Sequence, residues 1–182
     1  MPAVRSLCLS FTAVAAITVL SGAMSGVAVA APAGVATVTA TCSQSELPLP
    51  DPACTPGALN PDVTQSTIGS TICVSGWTAT IRPSTSYTNK LKAQGIIDYG
   101  YSDTSMSDYE EDHFLPLELG GAPKDPENLW PEPHSGNENS YSKDSVENAV
   151  KKAVCANQAT LSDAQHAMLT DWTTAESVLG IG

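Results

Sequence analysis

The chain contains the segment Glu110-Glu111-Asp112-His113-Phe114-Leu115-Pro116-Leu117-Glu118-Leu119-Gly120-Gly121, and Pro126-Glu127-Asn128-Leu129-Trp130 follows it. An acid and a histidine are adjacent, an apolar run and a Gly-Gly pair come next, and an asparagine lies fifteen residues after the histidine. Two glycines permit a tight turn, so we predict a second strand that returns against the first. The pattern therefore predicts a hairpin that brings Asn128 beside His113.

Asp112 and His113 are suited to metal-assisted hydrolysis of a phosphodiester. A carboxylate can hold a cation on the phosphate, and a neutral histidine can take a proton from water. At a strand edge adjacent side chains diverge, so one can face the metal and the other the water. Two simpler interpretations stay open: an exposed Asp-His pair in a loop, and an Asn128 that only forms a turn.

This combination resembles the core of the HNH endonucleases, which have a ββα-metal fold and cut nucleic-acid phosphodiesters. The resemblance covers about 30 residues from Glu110 onwards. It implies an α+β fold with a small ββα-metal core and additional helices. It also implies that Asp112 is a metal ligand and His113 the general base, while Asn128 bridges the hairpin or orients the ring of His113.

The third element of an HNH-like motif is a His or Asn about nine residues after the central Asn, and it acts as a second metal ligand. Asn137 is the first choice at this spacing. His134 and Asn139 stay open, because a glycine-containing loop can shift the register, and a solvated loop without ligands is the alternative. An Asn ligand suits a hard cation, so we expect Mg²⁺, with Mn²⁺ as the other possibility.

The first thirty residues are typical of a signal peptide. Arg5 gives a positive start, residues 7–20 are apolar, and Ala28-Val29-Ala30 has the small-x-small form of a cleavage site. The apolar segment is short for a membrane-spanning helix, although an uncleaved anchor is the alternative. We therefore expect a secreted, extracellular protein without a membrane segment after cleavage.

Four cysteines follow the predicted signal peptide, and an even number in an exported chain predicts two disulfides. Of the three possible pairings we favour Cys42–Cys54, which closes a short Pro-rich loop, and Cys73–Cys155, which ties an early segment to a late helix. A structural zinc site is the alternative, but the chain has no Cys-x-x-Cys pair.

The remaining chain divides into a flexible arm and a domain. Residues 31–58 are rich in Pro, Ala and Thr without a helical or strand period, and residues 59–182 form the predicted nuclease domain. Within it we predict helices from Asn60 to Cys73 and from Ser84 to Gly95, strands at 77–81 and 96–101, and two helices from about Ser142 and Ser162.

Charge limits the expected partners. The chain has a formal net charge of −11, and cleavage after Ala30 removes one more positive charge, that of Arg5. Nucleic-acid binding normally relies on Lys and Arg, so non-specific affinity should be weak, although acidity can also serve solubility alone. Lys143 and Glu147 lie four residues apart, which predicts an ion pair on the surface of a helix. The alternative is that Lys143 supplies a positive charge to the predicted active site.

Together these observations predict a secreted, monomeric, metal-dependent endonuclease, in which His113 and Asn128 are catalytic and Asp112 and Asn137 hold the metal. By analogy with the family we expect DNA as the substrate, with RNA as the alternative, and nothing in the sequence predicts base-specific contacts. The alternative is a non-catalytic secreted binding domain that retains the same fold.

Overall fold

A two-stranded antiparallel hairpin lies among the helices of this α+β protein. The computed structural model describes residues 41–182; the predicted signal peptide and residues 31–40 of the predicted arm lie outside the described residues. The elements are, in order, α1 (Trp77–Ile81), α2 (Thr85–Asp98), β1 (Tyr109–His113), β2 (Leu129–Pro133), α3 (Ser140–Cys155), α4 (Leu161–Asp171) and α5 (Ala175–Leu179). Short 3-10 turns occur at Ile68–Ser70, Met106–Asp108, Leu117–Leu119, Pro126–Asn128 and Trp172–Thr174.

The predicted hairpin is present. β1 and β2 pair so that Asp112 lies opposite Trp130 and His113 opposite Leu129. Gly121 is required in the connecting loop, because a Cβ atom there would lie 1.8 Å from the carbonyl oxygen of Leu115. The Gly-Gly pair therefore allows the loop to fold back closely on its own backbone.

Helix α3 begins soon after β2, and its Lys143 side chain contacts Asp112 on β1. Asn139 caps it by accepting hydrogen bonds from the backbone N–H groups of Tyr141 and Ser142. One face of α3 is buried in the hydrophobic core, which also contains Trp130. The order hairpin then helix places the first turn of α3 next to the end of β1.

Two predicted strands are helical instead. Trp77–Ile81 forms the one-turn helix α1, and it follows Gly76 in the left-handed region at a φ of 79°. Helix α2 continues through Gly95 to Asp98, where the sequence predicted a helix stop and a strand. Gly95 does not end the helix. It allows α2 to pack closely on β2, because a Cβ atom at this position would lie 2.8 Å from the ring of Pro131.

The helix predicted from Asn60 to Cys73 is also wrong. The segment forms turns and one 3-10 turn, Ile68–Ser70. Asn60 caps a turn and not a helix: its Oδ1 accepts from the backbone N–H of Asp62 at 3.0 Å, and no helix follows directly. Its backbone N–H donates to the carbonyl of Gly120 at 2.8 Å and so joins the segment to the hairpin loop. Val63 and Ile72 are nevertheless buried.

The described part of the predicted arm, residues 41–58, is packed rather than loosely held. The backbone N–H groups of Thr41 and Cys42 both donate to the carbonyl of Asp98 at 2.8 Å, and the buried Thr55 hydroxyl contacts the Tyr99 hydroxyl at 3.0 Å. The Cys42–Cys54 disulfide closes this segment.

The second disulfide, Cys73–Cys155, joins the segment before α1 to the end of α3. Both disulfides match the favoured pairing. Among residues 41–182, no helix is long and apolar enough to cross a membrane.

Candidate active site

His113, the last residue of β1, is held as a neutral ring. Its side chain is 4% exposed, and its Nε2 atom lies 3.1 Å from the carbonyl oxygen of Pro123. A carbonyl only accepts hydrogen bonds, so Nε2 carries the proton and Nδ1 keeps its lone pair. Burial lowers the pKa of His113, although the Pro123 carbonyl opposes this effect. Nδ1 is therefore the nitrogen at which this uncharged ring can accept a proton.

His113 lines a cleft of about 310 Å³ between the hairpin and the α1–α2 region. The other charged or titratable residues that line this cleft are Arg82, Lys92, Glu110, Glu111 and His134. The cleft thus combines a histidine with both cationic and anionic side chains.

Arg82 is the exposed cation of the cleft. It follows α1 directly, and its positive charge lowers the pKa of both His113 and Glu110. Within residues 41–182, the two salt bridges present both involve Lys143, so the guanidinium of Arg82 remains available to an anion. The sequence did not predict this role, because Arg82 is separated from His113 by thirty residues and belongs to no local motif.

Lys92 has a structural role at the same cleft. Its ammonium donates to the carbonyls of Met106 and Tyr109 at 2.8 and 2.9 Å, which ties α2 to the start of β1. Glu111 lies nearby, and burial raises its pKa to about 8, while the charge of Lys92 acts in the opposite direction.

Of the three residues considered for the last position of the HNH-like motif, His134 is the one that lies in the same cleft as His113. It follows β2 and lines the same cleft. Its Nδ1 atom lies 2.6 Å from the hydroxyl of Ser140, and its ring stacks on Tyr141 with centroids 4.9 Å apart. Tyr141 is 61% exposed, so an aromatic face is available beside the cleft.

The other two third-element candidates lie elsewhere. Asn137, the first choice, is exposed in the loop before α3 and does not line the cleft. Asn139 is engaged as the cap of α3, and its side-chain NH₂ donates to the carbonyl of Gly136 at 2.8 Å. The nine-residue spacing from Asn128 therefore leads to a solvent-exposed position.

Asn128 is fully buried and uses its side chain on backbone groups. Its Oδ1 accepts from Leu115 N at 2.9 Å, and its Nδ2 donates to the carbonyls of Leu115 and Ala122 at 3.0 and 3.1 Å. A longer contact of 3.4 Å joins Oδ1 to Ala58 N. Of the two roles that the sequence left open, the structure has Asn128 bridging the hairpin loop without contact to the His113 ring.

Asp112 is bound by a lysine. Its Oδ2 atom accepts from Lys143 Nζ at 2.5 Å, and Lys143 also donates to the carbonyl of His113 at 3.1 Å and to Glu147. Lys143 is only 1% exposed, so the predicted surface pair with Glu147 is in fact buried.

The residues predicted to bind the metal do not fit a shared divalent ion. The carboxylate of Asp112 is already neutralised by Lys143, and Asn137 is exposed outside the cleft. Across residues 41–182, no group of three or more His, Cys, Asp and Glu side chains is arranged to hold a metal. The carboxyl and imidazole side chains that line the cleft are those of Glu110, Glu111, His113 and His134.

In comparisons with known proteins, no family model, no curated protein and no solved structure matches the chain.

Proposed function

We propose that this protein is an exported endonuclease of the HNH-like type that hydrolyses nucleic-acid phosphodiesters. The observation that carries the proposal is the neutral His113, whose Nε2 is bound to Pro123 in a cleft that also contains Arg82. A hairpin followed directly by a helix, with the histidine at the end of the first strand, supports the same assignment.

In this proposal the two main residues have separate tasks. Nδ1 of His113 takes the proton from the attacking water, because Nε2 is occupied by the Pro123 carbonyl. Arg82 binds the phosphate, since a guanidinium can contact two phosphate oxygens at once. Asn128 contributes indirectly by holding the loop that carries Pro123.

A divalent cation, Mg²⁺ or Mn²⁺, belongs to the same proposal. Mg²⁺ typically uses one or two protein ligands together with waters and substrate phosphate oxygens. Glu110 and His134 meet that requirement better than Asp112 and Asn137, and Ser140 at Nδ1 of His134 can fix its ring orientation. The cation would neutralise charge that develops on the phosphate.

The expected substrate is DNA, with RNA as the alternative, and cleavage should be weakly sequence-specific. The net charge of −11 predicts weak binding away from the cleft. Two disulfides are typical of proteins from oxidising compartments, which supports export. The proposed enzyme acts as a monomer.

The alternative function is a non-catalytic secreted binding domain with the same fold. One observation favours it: Asp112, the acid that the family resemblance assigns to the metal, is neutralised by Lys143. This alternative predicts a well-folded protein that cleaves no nucleic acid with any cation.

The test is cleavage of plasmid DNA and of RNA by the oxidised protein, with Mg²⁺, Mn²⁺ or EDTA. We expect His113→Ala to lower the rate by about 10²- to 10⁴-fold, the usual contribution of a general base. His166→Ala is the matched control, because His166 is exposed on α4 and lines no part of the cleft. Equal residual cutting by both variants, or no cutting by the wild type, would contradict the proposal.

A further inference from the structure

The ring of Tyr141 extends an aromatic surface that begins inside the cleft of His113. The ring centroids of Tyr141 and His134 are 4.9 Å apart and their planes differ by 14°, so the two rings are stacked. His134 lines the cleft, whereas Tyr141 lies beside it and is 61% exposed. Because His134 covers only part of the Tyr141 ring, the remainder is free to contact another flat group.

Hydrogen bonds hold both residues of this stack in place. The backbone N–H of His134 donates to the carbonyl of Asp108 at 2.9 Å, and Nδ1 of its ring lies 2.6 Å from the Ser140 hydroxyl. Tyr141 is in the first turn of α3, where its backbone N–H donates to Oδ1 of Asn139 at 3.1 Å. The stack is therefore preorganised, which lowers the entropy cost of adding a third ring.

Packing of the protein itself does not explain the position of Tyr141. Its ring is not part of the hydrophobic core. A single exposed apolar residue is common on protein surfaces, but Tyr141 is stacked on a residue of the proposed active site. Unpaired nucleobases are flat, and proteins that bind single strands commonly stack them on the rings of Tyr and His.

The charge of the protein favours recognition through bases over recognition through phosphates. Duplex binding depends mainly on Lys and Arg contacts to the phosphates, and the chain has 8 Lys and Arg residues against 19 Asp and Glu. Lys92 and Lys143 are bound to groups of the protein itself. A stacked base needs no cation, but a base in a duplex must first be unpaired before it can stack on a side chain.

We propose that the Tyr141–His134 stack binds an unpaired base next to the phosphate contacted by Arg82, so that the substrate is single-stranded nucleic acid or an unpaired segment of a duplex. This assignment rests on the proposed nuclease function and names the substrate class of the same site. Every base has a flat face, so the preference is for unpaired structure and not for a sequence. Tyr141 binds substrate and takes no part in proton transfer.

The first test measures binding without cleavage, by fluorescence anisotropy of a labelled single-stranded oligonucleotide in EDTA. We expect Tyr141→Ala to raise the Kd by about five- to a hundredfold, the usual effect of losing one base–aromatic stack, and Tyr141→Phe to keep the wild-type Kd. Val178→Ala is the matched control, because Val178 is an exposed apolar residue on α5 that does not line the cleft. A duplex of the same sequence should bind more weakly and should not respond to Tyr141→Ala.

The second test measures cleavage of the same single strand and duplex with Mg²⁺ or Mn²⁺. The wild type should cut the single strand faster, and Tyr141→Ala should raise KM for the single strand more than it lowers kcat. Equal single-strand binding by Tyr141→Ala and the wild type, or equal binding and cutting of duplex and single strand, would overturn this assignment and leave the nuclease function standing. Single-strand binding that depends on Tyr141 without any cleavage would support the stack and contradict the nuclease function.

Discussion

Asn128 and Leu115 are joined in both directions: Oδ1 of Asn128 accepts from the Leu115 N–H at 2.9 Å, and Nδ2 donates to the Leu115 carbonyl at 3.0 Å. The same Nδ2 also donates to the carbonyl of Ala122, the residue before Pro123. Asn128 therefore holds the backbone next to Pro123, whose carbonyl accepts from Nε2 of His113.

Asn128→Ala should destabilise the fold by at least about 2 kcal/mol, because it leaves several buried backbone groups without partners at about 1–3 kcal/mol each. Urea unfolding of the oxidised protein measures the change. Asn137→Ala is the matched control, since Asn137 is exposed, and its effect should stay within about 0.5 kcal/mol. Equal effects of the two substitutions would contradict the bridging role.

The pH dependence of cleavage should report the state of His113. Its base form is required, and burial lowers its pKa below the ordinary value of 6.5. The value of kcat/KM should therefore rise with pH, with its acid limb below pH 6.5, and level off at neutral pH. Arg82→Ala should move this limb to higher pH, because the charge of Arg82 also lowers the pKa of His113. A limb that does not move would show that another group titrates.

Arg82→Ala should reduce kcat/KM by about ten- to a hundredfold, which corresponds to the roughly 1.5–3 kcal/mol of a hydrogen bond to a charged group. Arg82→Lys should recover only part of the loss, since an ammonium group cannot make the bidentate contact. Lys152→Ala is the control, because Lys152 is an exposed cation near the end of α3 and does not line the cleft. If both alanine variants lose the same activity, Arg82 acts only through net charge.

Stability should fall as the pH rises, because of Glu111. Burial raises its folded-state pKa from 4.5 to about 8, so the folded protein holds a proton that the unfolded chain releases between these values. The free energy of unfolding should decrease through this window by up to about 1.4 kcal/mol per pH unit, and the effect should be complete above pH 8.

Glu111→Gln should remove this contribution, so the variant should gain stability relative to the wild type as the pH is raised from 5 to 8. Chemical denaturation at several pH values measures the difference. Glu127→Gln, at an exposed acid before β2, should follow the wild-type curve. A Glu111→Gln curve parallel to that of the wild type would count against the burial argument.

The hairpin, the helix after it and both disulfide pairs could be predicted from the sequence. The hairpin and the helix depend on local spacing, because the Gly-Gly pair allows the loop and a helical pattern follows it. The pairing of Cys73 with Cys155, which are 82 residues apart, was a choice among three possible pairings. The pattern at Trp77–Ile81 was ambiguous, because a five-residue apolar segment without a partner strand can close a helical turn instead. Gly95 was misread as a stop, since its close approach to Pro131 involves residues thirty-six positions apart.

The sequence by itself determined the α+β class, the hairpin that carries the Asp112-His113 pair on its first strand and the return of Asn128 on the second side of that hairpin. Only the tertiary structure decided that Arg82 and His134 share a cleft with His113, and that Lys143 is buried on Asp112. The physical reason is that spacing along the chain constrains neighbours within one or two elements. Which distant charges meet depends on how α2 and α3 pack on the hairpin.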